Sequence, residues 1–523
     1  MKTIAFHNLG CKVNSYELDV MQQIMREKGY EIVSFDKNAD IYIVNTCTVT
    51  NIADRKSRQM LHRAKQKNPD AVVVAVGCYV QTDLAGAVKD PAIDLAIGNN
   101  RKKDIAEILE QFLAEREKKF EPCDRDERDR AVVTEGADGK NTPVQESEES
   151  LNAEDKTLGG VTVLDIAHEK EYEEMQLKTT AEHTRAYIKI QDGCNQFCSY
   201  CAIPLARGRV RSRKPEDVLR EIRGIVDAGY REIVLTGIHV SSYGIDFAKA
   251  DREHQVTPAG GTVKRVDVLT GETADHVEEA VRDYRGETKL FELIEEIHKI
   301  PELERIRISS LEPRIVTTET AKRLAALPKV CPHFHLSLQS GCDATLKRMN
   351  RHYTAQQYLE SVTALRNAYA PRIPAITTDV IVGFPGETET EFEESKAFLE
   401  KVGFYEMHVF KYSKRKGTRA AVMDGQVPDE VKAKRSDTLL ALEREQSGSF
   451  RKKKLGQSVR VLFEEEKKIG GKAYLIGHTT DYVKVAIECD SNTRHFAPGE
   501  MAELVPTDFL TEEILLGDES DFF

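Results

Sequence analysis

No run in the 523-residue chain approaches the roughly 18 apolar residues that a membrane-crossing helix needs, so no span is expected. The opening MKTIAFHNLG has no apolar core followed by a small-residue cleavage site, so no secretory leader is expected and a cytoplasmic location follows. Net positive charge is also missing. Lys and Arg number 75 against 87 Asp and Glu, a balance of −12 that at first argues against nucleic acid. Its distribution weakens that argument. Between Phe120 and Thr180 stand 17 acidic and 7 basic side chains, a net of −10, which leaves −2 for the rest. Cysteine is not scarce. Ten thiols in a reducing compartment point to metal ligands before disulfides.

Residues 1–118 alternate short apolar runs (TIAFHNLGC, ADIYIVNTC, AVVVAVGC) with amphipathic segments, which predicts a parallel α/β sheet. Residues 119–182 are polar, acidic and aperiodic, and read as a surface insertion or linker. The βα rhythm returns over 183–446, with a second polar insertion at 246–287. Its six strand-like runs fit a partial or complete β/α barrel better than an open sheet. Residues 447–510 show short β segments with glycine turns, the pattern of a small OB-like β-barrel, and 511–523 read as an acidic tail.

DGCNQFCSYC places Cys194, Cys198 and Cys201 within eight residues. Structural zinc takes four closed ligands, usually as two pairs, and no second pair follows. A disulfide leaves an odd thiol. An iron–sulfur cluster fits better: three thiolates leave one iron open for a substrate, as catalytic metal sites keep a vacant position. Cys11, Cys47 and Cys78 are far apart, but each ends a strand-like run. Strand ends of a parallel sheet share one edge. These three are either buried free cysteines or the ligands of a cluster.

C-x3-C-x2-C at the end of the first strand of an α/β barrel resembles the radical S-adenosylmethionine (SAM) superfamily. The resemblance implies a [4Fe-4S] cluster on Cys194, Cys198 and Cys201 whose open iron binds SAM. One electron then cleaves SAM to methionine and a 5′-deoxyadenosyl radical. LTGIHVSSYG (235–244) stands where that family has its glycine-rich SAM motif, although Thr236-Gly237-Ile238 replaces a double glycine and an acid. RISSLEP (307–313), SLQSGCDATLKRMNRHYT and DVIVGFPGET follow in the family's order. The implied SAM contacts are Gly237, Ser310, Glu312 and Gln339. Gly383 and Gly386 either belong to this set or simply end a strand and start a helix. Cys123, Cys331, Cys342 and Cys489 are given no role.

LGCKVNSYE, IVNTCTVTNIAD and VAVGCYVQ resemble the N-terminal domain of the methylthiotransferases. That resemblance implies a second, auxiliary [4Fe-4S] cluster on Cys11, Cys47 and Cys78, followed by the radical SAM barrel and a TRAM domain. It implies sulfur insertion into an unactivated C–H bond and methylation. No side chain is basic enough to remove such a hydrogen, so a cofactor radical carries the chemistry. The words around Cys11, with Lys12 and Val13, resemble the branch acting at C2 of N6-threonylcarbamoyladenosine 37 of tRNA. The isopentenyladenosine branch more often has Gln-Met there, and the ribosomal-protein aspartate branch Pro-Lys. Both remain alternatives, as does a zinc-stabilised RNA-binding protein without catalysis. The implied partners are tRNA carrying N6-threonylcarbamoyladenosine and an electron donor of flavodoxin or ferredoxin type.

Basic words suit RNA. ARGRVRSRK supplies Arg207, Arg209, Arg211 and Arg213 directly after the cluster cysteines, and GHTTDYVKV supplies Tyr482 and Lys484 to stack and pair. SKRKGTRA (413–420) and RKKK (451–454) add cations. A solvated charged face is the alternative for each.

Overall fold

The computed structural model describes residues 2–120, 160–179, 184–247, 288–489 and 496–519. Cys123 and nearly all of the polar stretch 246–287 lie outside them. No described helix is long and apolar enough to cross a membrane.

The first unit is a parallel sheet of β1 (Thr3–Asn8), β2 (Glu31–Val33), β3 (Ile41–Thr46), β4 (Val72–Gly77), β5 (Leu95–Ile97) and β6 (Val161–Thr162). Its order is β2-β1-β3-β4-β5-β6. Both faces are apolar. Ile4, Ile41, Ile43 and Val74 pack with Tyr16 and Met21 of the helix Lys12–Glu27 on one side. Ala5, Tyr42, Val44 and Val73 pack with Leu61 and Ala64 of the helix Asn51–Lys67 on the other. Burial on both faces explains the continuous apolar runs.

β6 corrects the expected linker 119–182. Its last part returns to the sheet, and Ile166, Met175 and Leu177 are buried. The acidic average of the segment conceals this short apolar stretch.

The second unit contains β7 (Ala186–Asp192), β8 (Arg211–Ser212), β9 (Glu232–Gly237), β10 (Arg305–Ile308), β11 (His333–His335), β12 (Ala375–Val382) and β13 (Glu406–Lys411). β7-β9-β10 and β11-β12-β13 are parallel ladders, joined through the bridges Ile306↔Val330 and Leu311↔Leu336. β8 pairs antiparallel with β7. Among the described residues no pairing closes β13 onto β7, so the six parallel strands form a partial barrel.

Alternation sorts these strands. Ile188, Ile233, Leu235, Ile306, Phe334, Val380 and Met407 enter the core beneath the helices. Lys189, Glu232, Arg305, Arg307, His335, Asp379 and His408 occupy the opposite, inner face. The lumen is therefore polar, and solvent reaches it: His408, Phe410 and Lys411 stay exposed. A closed eight-stranded barrel fills this space with branched apolar side chains.

The third unit is a closed barrel of β14 (Val459–Ile469), β15 (Lys472–Thr479), β16 (Lys484–Glu488), β17 (Met501–Phe509) and β18 (Ile514–Glu519), in the order β14-β15-β16-β18-β17. Two boundaries move. The helix Asp429–Lys452 runs across residue 447, and β18 lies in the expected tail 511–523. β18 supplies the strand that closes the barrel, with Leu515 buried and Asp518 exposed.

Candidate functional site: two cysteine triplets around a polar lumen

β1, β3 and β4 are neighbours, and each carries one thiol at or just beyond its C-terminal end. The crossing between β1 and β3 is the switch point of this strand order, where parallel sheets place ligands. Cys11 precedes the helix Lys12–Glu27, Cys47 follows β3, and Cys78 opens the short helix Cys78–Thr82. Gly10 allows the approach. Its φ is +116°, and a Cβ there would lie 3.1 Å from Cys47 Cβ and 3.2 Å from Cys47 Sγ. Cys11 lies within electrostatic reach of Cys78, and Cys47 within reach of both Cys78 and Cys11.

Cys194, Cys198 and Cys201 lie in the loop after β7. Cys194 N donates to Gly208 O (3.0 Å) and Cys201 N to Cys198 O (3.0 Å). Gly193 (φ +70°) passes so close to Arg209 that a Cβ would meet its carbonyl oxygen at 1.7 Å. Burial pushes the thiols of Cys47 and Cys201 up to about 12. A thiolate there needs a bound cation. Among the described residues neither trio brings all three sulfurs within 4.8 Å of one another.

Each trio has one arginine on one sulfur. Arg207 Nε donates to Cys78 Sγ (3.3 Å), and Arg351 Nη1 donates to Cys198 Sγ (3.3 Å). Arg207 also spans the first two units. Its guanidinium reaches Glu17 Oε1 (2.5 Å), Asn14 Oδ1 (2.7 Å) and Asp192 Oδ2 (3.2 Å). Lys102 and Lys189 join the same Glu17 carboxylate, with Lys189 at 2.8 Å, and hold it well below the usual range against its burial. Four buried cations, Lys102, Lys189, Arg207 and Arg211, thus face the carboxylates of Glu17 and Asp192. A further buried carboxyl, Glu173, has its pKa raised by burial. Among the described residues, Nη2 and Nε of Arg211 have no hydrogen-bond partner. A buried excess of cation beside three thiols suits an anionic cluster.

This network corrects the expected RNA contacts. Arg207, Arg211 and Arg213 are buried at 1% exposure each. Arg213 pairs with Glu221 and with Glu174, its Nε to Glu174 Oε1 at 2.9 Å. Their partners come from other segments, so a basic run alone cannot reveal them. Arg209 remains exposed, with its guanidinium 4.4 Å from the Phe197 ring centroid. Tyr482 is likewise taken. It stacks on His333 (4.8 Å) and His478 (4.5 Å), beneath Arg185 and Arg307. It seals the floor of the lumen and offers no face to a base. Lys484 is half-buried on β16.

The positions implied for SAM gather at the upper strand ends. Gly237 ends β9, where a Cβ would lie 3.0 Å from Gln191 Oε1. Glu312 is buried. Arg314 joins its carboxylate, Nη2 to Oε2 at 3.0 Å, and helps to hold its pKa low. The same Nη2 donates to Gln196 Oε1 (3.0 Å), tying Glu312 to the cysteine loop. Gln339 is buried with φ +72°, and Ser310 is exposed. Gly383 and Gly386 carry positive φ beyond β12. Cys331 and Cys342 are buried away from both trios, and Cys489 is exposed on the third unit.

Sequence reading missed Glu17, Lys102, Lys189, Asp192 and Arg351. One signal was present: Lys189 and Asp192 interrupt the apolar alternation of AYIKIQD. It also missed the lumen's own side chains. Lys12 is exposed to that space, where desolvation, then Arg185 and Arg307, lower its pKa to about 8. His335, Asp379 and His408 meet there with ligand atoms within 4.8 Å. An apolar rim surrounds the site: Phe197, Leu205, Val49, Ile52 and Val422 are 38–85% exposed. Asn51 N donates to Ser413 Oγ (3.2 Å) and Ala420 N to Ser199 O (2.7 Å), so the loop after β13 joins this rim to both cysteine trios.

The radical SAM superfamily profile matches residues 188–399, and that of an uncharacterized protein family, UPF0004, matches residues 3–98. The chain is 36% identical over 489 residues to the threonylcarbamoyladenosine tRNA methylthiotransferase MtaB of Bacillus subtilis, covering 93% of this chain and 91% of that protein. Against MtaB of Aquifex aeolicus it is 34% identical, covering 90% and 95%. Against the tRNA-2-methylthio-N(6)-dimethylallyladenosine synthase of Moorella thermoacetica it is 31% identical, covering 88% and 87%. With both profiles matched and such relatives aligned along most of its length, the chain belongs to the radical SAM methylthiotransferase family.

Proposed function

We propose that the protein methylthiolates C2 of N6-threonylcarbamoyladenosine 37 in tRNA, next to the anticodon. The observation that supports this reading is Arg207, which donates to Cys78 of one trio and to Asp192 at the end of the strand that leads into the other, with MtaB proteins as relatives. Bound there, the two [4Fe-4S] clusters and SAM supply the radical, the sulfur and the methyl group. The chain's own residues do the positioning. Arg207 and Arg351 each fix one sulfur, and Arg207 with Glu17 clamps the two units together. Gly237, Ser310, Glu312 and Gln339 would take SAM. The rim cations Arg209, Lys416 and Arg419 are exposed, and the apolar side chains between them suit an unpaired loop. Bringing the target C–H, SAM and sulfur carrier into one geometry is the largest contribution a protein can make here.

Nucleoside mass spectrometry of tRNA from cells lacking the gene tests the proposal. The 2-methylthio form of threonylcarbamoyladenosine disappears and its precursor accumulates. An unchanged level of that nucleoside sinks the substrate assignment. Loss of 2-methylthio-isopentenyladenosine instead moves the protein to the other tRNA branch.

A further inference from the structure

Among the described residues facing the lumen, one cation has no hydrogen-bond or ion-pair partner. Arg185 is committed to Glu464 Oε1 (2.7 Å) and to Tyr482 OH (3.0 Å). Arg307 is committed to Glu232 Oε1 (2.6 Å) and to the carbonyls of Thr479 (2.6 Å) and Thr480 (3.0 Å). Arg305 is committed to Glu232 Oε2 (3.2 Å) and to backbone carbonyls. Asp379 faces His335 Nε2 at 3.4 Å, with His408 alongside. Lys12 differs. Its side chain is exposed, it lies within electrostatic reach of Arg185, Arg307 and Asp379, and no described residue takes a hydrogen bond or ion pair from its ammonium. It is also the residue after Cys11, so it borders the dispersed cysteine trio.

We infer that Lys12 is an anion reader: its ammonium receives the carboxylate of the threonylcarbamoyl group and so sets the substrate branch. The inference rests on the function proposed above. Adenine chemistry connects the two sites. C2 and the N6-bearing C6 flank N1 on one edge of the ring. A base with C2 turned to the auxiliary trio therefore directs its N6 substituent to a side chain beside that trio. A threonylcarbamoyl group ends in a carboxylate; a dimethylallyl group has no polar atom. A cation without a partner rewards the first and is left desolvated by the second. The polar wall of Asp379, His335 and His408 suits the hydroxyl and urea of the same group.

The test uses reconstituted holoenzyme under anaerobic conditions and synthetic anticodon stem-loops. One carries the threonylcarbamoyl acid, one its methyl ester and one isopentenyladenosine. Fluorescence anisotropy gives dissociation constants. For the unaltered protein the ester binds about tenfold or more weakly than the acid, the size of a hydrogen bond to a charged group. Lys12→Gln binds the acid as weakly as the ester, and Lys12→Arg restores the preference. Equal binding of acid and ester by the unaltered protein overturns the inference, and so does a Lys12→Gln variant that still prefers the acid. Because the ester arm needs no variant, a poorly folded Lys12→Gln leaves the test decisive. Product analysis separates the two claims. Acid converted without acid preference removes Lys12 as the reader and leaves the proposed function standing. Conversion of the isopentenyl loop alone removes both.

Discussion

The two cysteine trios reach one lumen by opposite routes. Cys194, Cys198 and Cys201 are brought together by a single loop, which Gly193 and the contact with Gly208 fold tightly. Cys11, Cys47 and Cys78 are brought together by a sheet, because β1, β3 and β4 are neighbours. A local site survives when distant parts of the chain move. A topological site exists only while the whole sheet is in register.

The largest expected effect separates the trios by chemistry. Cys198→Ala and Cys47→Ala each lower the iron content from about eight to about four per chain. Cys198→Ala abolishes SAM cleavage. Cys47→Ala still yields 5′-deoxyadenosine but no methylthiolated nucleoside. Equal loss of SAM cleavage in both variants contradicts the division of roles.

The next effect is on stability. Arg207 ties the trio made by topology to the barrel through Glu17 and Asp192, whereas among the described residues Arg351 donates to Cys198 Sγ, Tyr353 OH and Ser337 O, all within the barrel. Arg207→Leu leaves Lys102 and Lys189 on Glu17 but strips the buried acceptors Asn14 Oδ1 and Cys78 Sγ of their donor, at a cost of roughly 1–3 kcal/mol for each polar group left unsatisfied. Thermal unfolding of Arg207→Leu falls well below that of Arg351→Leu, with loss of auxiliary iron. Arg207→Lys keeps the charge without the planar fork, and lies between. A melting temperature equal to that of the unaltered protein refutes the clamp.

The same contrast explains what was legible in sequence. The apolar runs of β1, β3 and β4 are buried on both faces, so the strands and the cysteines at their ends could be read directly. The six parallel strands of the barrel were legible instead from one apolar face and from the helical segments between them. Burial of Arg207, Arg211 and Arg213 was not, because Glu17, Glu174 and Glu221 lie elsewhere in the chain. Tyr482 looked like a stacking platform because a sequence does not show that His333 and His478 already flank it. β6 and β18 were hidden by acidic neighbours, since composition averages over windows longer than a short strand.

The smallest effect tests the surface that remains for RNA. Arg209 follows the local cysteine loop, and Lys416 and Arg419 lie in the loop that joins the two trios; all three are exposed. Arg415, which directly precedes Lys416, is buried and bound to Asp54 Oδ2 (2.6 Å) and Thr48 Oγ1 (2.7 Å). Exposed cations contribute to phosphate binding chiefly by releasing counterions. Arg209→Ala, Lys416→Ala and Arg419→Ala should each lower the slope of log affinity against log salt by about 1, with the fold intact. Arg415→Ala should instead loosen the first unit from the rim and lower the melting temperature, because its carboxylate partner is left unpaired. Salt titrations of tRNA binding at matched stability distinguish the two classes. Slopes unchanged in all three exposed variants would move the tRNA surface away from the rim of the lumen.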